Sequence, residues 1–154
     1  AHERLLSWPL LARAYLWLGL LQAGVALAAF FLVLHLAGWH YGEALGSADP
    51  LYLQATTACL AAIVVSQMVN VFLCRHPRES ALRFSLQKNP LLLLGLAAEL
   101  GLLLLIVYTP PGNQIFATLA FEPGIWLVLV VLALAFGMLE ELRKYFVRQG
   151  WRSP

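Results

Sequence analysis

The sequence predicts an all-α membrane protein of four transmembrane helices, with both termini on the cytoplasmic side. Three observations lead there. Of 154 residues, 61% are apolar and only 12% charged, against roughly 45–50% and about 25% in globular domains. Four long apolar runs are separated by breaks rich in Pro and Gly. Every Lys and Arg falls on one side of the membrane that those runs imply. A soluble domain of this length could not bury so much apolar surface, and a disordered chain would be poor in it. The net charge of +2 points to no nucleic-acid partner. The lipid bilayer is the expected surroundings.

A bilayer core of roughly 30 Å needs about 20 apolar residues of helix. Residues 14–38 supply 25 with no Asp, Glu, Lys or Arg, and residues 51–74 supply 24, also uncharged. Residues 90–108 supply 19 with a single charge, Glu99. The fourth run, 124–139, is 16 residues long and meets Glu140 and Glu141. It is short for a crossing, so it is expected to borrow from its flanks and span about 122–142, continuing helically towards Tyr145. The whole chain, 1–154, then reads as one membrane domain, with a cytoplasmic loop at 75–89 and external loops at 39–50 and 109–121.

Charge sorting fixes the orientation. Arg4 and Arg13 precede the first span, Arg75, Arg78, Arg83 and Lys88 lie between the second and third, and Arg143, Lys144, Arg148 and Arg152 follow the fourth. That is all ten basic residues; the other two connections hold only Glu43, Asp49 and Glu122. Lys and Arg in short loops stay inside, so an even number of crossings is required. Aromatic anchors agree: Trp39, Tyr41, Tyr52, Tyr108 and Trp126 sit at the outer ends, and Trp8, Tyr15, Trp17, Tyr145 and Trp151 at the inner ends. The breaks are Asp49-Pro50, Asn89-Pro90, Thr109-Pro110-Pro111-Gly112-Asn113 and Glu122-Pro123-Gly124.

Polar groups within the spans are the candidate functional residues, because an ionisable side chain there is costly. Glu99 is the one charge well inside, and it should face protein or water. It reads either as an ion or proton relay site or as a carboxyl hydrogen-bonded to a neighbouring helix. Gln67 and Asn70, three residues apart, share a helix face. Their carbonyl oxygens suit hard cations, and they would equally serve as interhelical hydrogen bonds of about 0.6 kcal/mol each. Thr56 and Thr57 are expected to bond back to their own helix. Pairs of small residues at four-residue spacing, Gly24 with Ala28, Ala58 with Ala62 and Ala133 with Gly137, would permit close helix contact. His2, His35, His40 and His76 have no metal-ligand spacing, and no metal or cofactor of this chain is expected. Cys59 and Cys74, on one helix, would lie about 22 Å apart, beyond disulfide reach. No catalytic Ser-His-Asp set, phosphate-cradling loop or Walker-type lysine is present.

Several stretches taken in order carry a resemblance. They are Thr57-Ala-Cys-Leu-Ala-Ala-Ile-Val-Val-Ser-Gln67-Met-Val-Asn70 through Cys74-Arg75, then Phe84-Ser-Leu-Gln-Lys88-Asn89, Gly95-Leu-Ala-Ala-Glu99, Tyr108-Thr-Pro-Pro-Gly-Asn113 and Glu140-Glu141-Leu-Arg143-Lys144, with Glu3-Arg4-Leu-Leu at the start. The set resembles the C-terminal transmembrane domain of type II P-type cation-transporting ATPases, the group of calcium, sodium/potassium and proton/potassium pumps and their bacterial relatives. The resemblance covers nearly the whole chain. It implies that the four spans are pump helices seven to ten. Gln67 and Asn70 then match cation-ligand positions of the eighth helix, where calcium pumps with two sites carry Glu then Asn and sodium pumps carry Gln then Asp. Two neutral amides fit a pump moving fewer ions per cycle. Glu99 matches an acidic position of the ninth helix in sodium pumps, associated with the third sodium site. Glu140, Glu141, Arg143 and Lys144 match the acidic-then-basic end of the tenth helix, a structural feature at the inner interface.

The resemblance implies a support domain that braces the mobile ion-binding helices and lends part of an ion site. Its partners would be the remaining helices and cytoplasmic domains of the parent ATPase and the transported cation, and its parent would use ATP and Mg2+. The phosphorylated-aspartate motif and the nucleotide-binding domain are not among these 154 residues, so this chain alone is not expected to hydrolyse ATP. It opens on Ala1, not Met, and is read as a piece of a longer protein. A bacterial inner membrane is the expected location. The alternative is a stand-alone four-helix membrane protein, either a small proton-coupled exporter using Glu99 or a non-catalytic scaffold.

Overall fold

The computed structural model describes residues 13–75 and 90–149. Arg4, Trp8, the loop residues Arg78, Arg83 and Lys88, the stretch Phe84 to Asn89, Trp151 and Arg152 lie outside the described residues. The described residues are helical apart from their connections. A π-helical turn over Arg13–Leu18 runs into α1 (Gly19–Leu36); α2 spans Pro50–Arg75, α3 Pro90–Tyr108, α4 Pro110–Phe116 and α5 Gly124–Arg148. Four of these stretches, Tyr15–Leu36, Pro50–Val71, Pro90–Tyr108 and Gly124–Phe146, are long and apolar enough to cross a membrane. Cys59 and Cys74 both lie on α2, and Cys59 is free.

The helix ends follow from local chemistry. α1 stops at Gly38, whose φ of +78° is a conformation that costs a residue without a Cβ little. The Gly38 amide donates to the His35 carbonyl, and the Trp39 amide donates to that of Leu34 at 3.0 Å. This paired closure satisfies carbonyls that the last turn would leave unpaired. α2 is capped by Asp49, whose Oδ1 accepts from the Leu51 amide at 2.8 Å, with Pro50 in the first helical position. The fifth helix runs on past Glu140 and Glu141 as far as Arg148.

One element departs from the sequence reading. The 109–121 connection contains a helix, α4, where the Pro-Pro-Gly-Asn string reads as a loop. Thr109 caps it: the Thr109 Oγ1 accepts from the Gly112 amide at 3.3 Å, and two prolines with preset φ fill the first turn. Gly112 is buried because α4 folds directly onto the end of α3. A Cβ there would lie 2.5 Å from the Leu105 carbonyl oxygen and 2.7 Å from the Ile106 Cα. Asn113 completes the corner by donating to the carbonyls of Ile106 at 3.1 Å and Val107 at 2.9 Å.

Helices α1, α2 and α5 pack on one another, α1 against α2 most extensively, while α3 touches chiefly α2 and its own continuation α4. The main core joins Ala29, Val33 and Leu34 of α1, Ala55, Ala58, Ala61 and Ala62 of α2, Leu103 and Val107 of α3, and Leu129 of α5. All lie towards the end of the bundle carrying the 37–49 and 109–123 connections, here the distal end. The opposite, proximal end has a smaller cluster around Leu18 and Phe136. Of the small-residue pairs, Ala58 and Ala62 are buried, and a Cβ on Gly137 would meet Val69 Cγ1 at 3.1 Å. Gly24 and Ala28 instead face outward, and a Cβ on Gly24 would meet nothing within 4 Å.

Candidate functional site

The proximal half of α2 carries the polar site. Helical spacing sets Gln67 and Asn70 side by side, and the Asn70 Nδ2 donates to the Gln67 Oε1 at 3.3 Å. The Gln67 Nε2 donates in turn to the Oε1 of Gln22 on α1 at 3.3 Å. The Gln22 Nε2 donates to the Ile63 carbonyl at 3.3 Å. Three amides thus form a continuous series between α1 and α2. Gln22 and Asn70 are half-buried and Gln67 is exposed, so the series opens on the bundle's outer face. Amide oxygens in such a place can coordinate a hard cation. Ser66, the neighbour of Gln67, is fully buried, and among the described residues its Oγ has no hydrogen-bond partner.

Gln22 is the residue the sequence reading missed. It is the one side-chain amide among residues 14–38, and that isolation in an otherwise apolar run was the available signal. An unpaired amide in lipid would be costly, so a partner on another helix is required.

Glu99 is held apart from this series. It sits half-buried on α3, four residues before Leu103 and eight before Val107, and therefore on the face that packs towards α2. Among the described residues it makes no hydrogen bond or ion pair. The structure therefore brings Gln67 and Asn70 together and joins neither to Glu99.

A second polar cluster closes the proximal end. Glu140 on α5 is fully buried. Its Oε1 accepts from the Arg143 Nη2 at 2.8 Å, and its Oε2 accepts from the Arg143 Nε at 2.8 Å and from the Trp17 Nε1 at 2.9 Å. Lys144, also fully buried, donates from Nζ to Glu141 Oε1 at 3.0 Å. Trp17, read from the sequence as an interface anchor, thus ties the π-helical turn to the carboxylate on α5. A fork-to-carboxylate pair is the geometry in which a buried charge is best compensated.

At the distal end the polar groups hold shape. Thr57 donates to its own helix at the Leu53 carbonyl, 2.6 Å away, as expected, and its Oγ1 also accepts from the Leu119 amide at 3.0 Å. Gln54 donates to the Ala120 carbonyl at 3.0 Å, and Trp126 Nε1 donates to the Tyr108 hydroxyl at 2.7 Å. Among the described residues no group of three or more His, Cys, Asp or Glu side chains gathers to hold a metal.

The profile of the family described as "Cation transporting ATPase, C-terminus" matches residues 1–146. The chain belongs to this family. It is 30% identical over 129 residues to the "Calcium-transporting ATPase" of Bacillus subtilis, covering 82% of this chain and 12% of that protein. It is 30% identical over 99 residues to the "Probable cation-transporting ATPase F" of Mycobacterium tuberculosis, covering 64% of this chain and 11% of that one. It is 24% identical to the "Potassium-transporting ATPase alpha chain 2" of Oryctolagus cuniculus over 95% of this chain and 16% of the relative. The chain therefore spans only a small part of each relative's length. This cation-ATPase C-terminal domain is an integral membrane domain, with four helices able to cross a bilayer.

Proposed function

We propose that this domain is the C-terminal membrane part of an ATP-driven, cation-translocating P-type ATPase. It braces the pump's mobile helices and lends oxygens of Gln67, Asn70 and Glu99 to the cation path. The observation that carries the reading is the family match over residues 1–146. The amide pair on the open face of α2 supports the ligand role, because a polar face in the membrane needs protein or an ion against it. The sorting of all ten basic residues supports a cytoplasmic proximal end and cytoplasmic termini. In this reading the rest of the pump supplies the ATP, Mg2+ and phosphorylation sites, and the membrane is a bacterial inner membrane. Calcium, named for the Bacillus relative, is the first cation to try, with sodium and potassium next.

The test is the mass of the native polypeptide carrying this C-terminus, found in source membranes with an antibody against residues 145–154. A band several times heavier than 17.0 kDa that takes up phosphate from ATP in the presence of one of these cations is expected. A 17.0 kDa band that takes up none would overturn the proposal. Glu99→Gln in the full polypeptide should shift the cation or pH dependence of turnover, and superimposable curves would leave Glu99 a packing residue.

A further inference from the structure

We infer that Gln22 on α1 is a positioning residue for the cation-facing amides: it fixes which way round the Gln67 side chain stands. The inference rests on the ligand reading above. Its basis is the direction of the hydrogen bonds. The Ile63 carbonyl can only accept, so the Gln22 group that meets it at 3.3 Å is the Nε2 donor. That leaves the Gln22 Oε1 towards Gln67, where it accepts from the Gln67 Nε2 at 3.3 Å. With its nitrogen committed to Gln22, Gln67 turns its oxygen towards Asn70, whose Nδ2 donates to it at 3.3 Å. A single backbone acceptor thus sets the polarity of three side chains, because each amide has donors at one end and an acceptor at the other.

The consequence is chemical. A carboxamide nitrogen repels a cation and its oxygen binds one, so a Gln67 free to flip would present the wrong atom part of the time. Gln22 itself is anchored at both ends to one turn of α2, Ile63 to Gln67, and need not touch the ion. Its contribution passes through Gln67. Rotamer freedom opposes an ordered carbonyl on an exposed side chain, and Asn70 alone, donating to that oxygen at 3.3 Å, leaves the Gln67 nitrogen end without an anchor on another helix.

The test is a cation titration of phosphoenzyme formation from ATP in the full polypeptide, with Ca2+ as probe and Na+ and K+ in parallel. Gln22→Met, which keeps the length and loses both hydrogen bonds, should raise the half-saturating cation concentration roughly threefold to tenfold, with the maximal phosphoenzyme level unchanged. Gln22→Glu, whose protonated carboxyl donates to the Ile63 carbonyl and accepts from the Gln67 nitrogen, should recover most of that shift under conditions that keep it protonated and guards against a general folding defect. The double variant Gln22→Met, Gln67→Met should be no weaker than Gln67→Met alone, because the first residue acts through the second. A wild-type curve for Gln22→Met overturns the inference. So does an additive double variant, or a Gln22→Glu shift as large as that of Gln22→Met. If Gln67→Met itself leaves the titration unmoved, the ligand reading of Gln67 has failed, and the inference with it.

Discussion

The two ends of the bundle are built on different principles. The distal end has an apolar core: alanines of α2 meet Ala29, Val33 and Leu34 of α1, Leu103 and Val107 of α3 and Leu129 of α5. Thr57, Gln54 and Asn113 there bond to backbone at the connections. The proximal end has a sparse apolar cluster and carries the amide series and the buried Glu140. Lipid is as apolar as leucine, so hydrophobicity does not decide which helix is buried; small residues and hydrogen bonds do. α3 shows this directly, with mean hydropathy 2.5 and only 11% of its span buried, against 1.4 and 33% for α2. The contrast is one of means: the distal half is held by close packing of small and apolar residues, and the proximal half by hydrogen bonds and ion pairs between polar side chains.

The largest expected effect lies at the proximal end. Glu140→Ala removes the acceptor for Trp17 and both Arg143 donors. Breaking one side of a fully buried charge pair costs about 3–5 kcal/mol; because Arg143 is 24% exposed the loss should fall at the lower end of that range, and thermal unfolding in detergent should register it. Glu140→Gln, which still accepts from Trp17, should lose less. A Glu140→Ala domain as stable as wild type would mean that the proximal end is held by something other than this cluster.

Next come two distal substitutions that should change stability alone. Gly112→Ala places a methyl 2.5 Å from the Leu105 carbonyl oxygen, which only backbone movement can relieve. Ala58→Leu forces three more carbons into a fully buried contact on α2. Each should cost about 1–3 kcal/mol and leave cation dependence untouched in the full polypeptide. A shifted cation titration in either would blur the division between the halves.

The smallest effects sharpen the comparison. Ser66→Ala removes a buried hydroxyl that has no partner among the described residues, so stability should stay level or rise slightly. Leu102→Ala, on a side chain 59% exposed on α3, should fall within about 0.5 kcal/mol of wild type. A loss several times larger would mean that another protein surface, and not lipid, covers that face.

Much of this was legible in the sequence, for a physical reason. A membrane helix announces itself by composition over about 20 residues, and the four runs did so. The return of Thr57 to its own helix and the shared face of Gln67 and Asn70 follow from local spacing. What depends on a partner far along the chain was hidden. Gln22 is separated from Gln67 by 45 residues and Trp17 from Glu140 by 123, and no periodicity encodes either bond. The α4 helix was hidden for another reason: Pro-Pro-Gly-Asn reads as a break, yet after a Thr cap the same prolines open a helix. Gly24 and Ala28 show the converse, a small-residue pattern that stays exposed among the described residues.

The measurement that bears most directly on the account is the cation titration of phosphorylation in the full polypeptide carrying Gln67→Leu and Asn70→Leu together. The account predicts a half-saturating cation concentration raised by about tenfold, equivalent to about 1.4 kcal/mol, with the maximal phosphoenzyme level close to wild type. A curve that superimposes on wild type would contradict it, and would reduce the amide series to a hydrogen-bonded seam between α1 and α2.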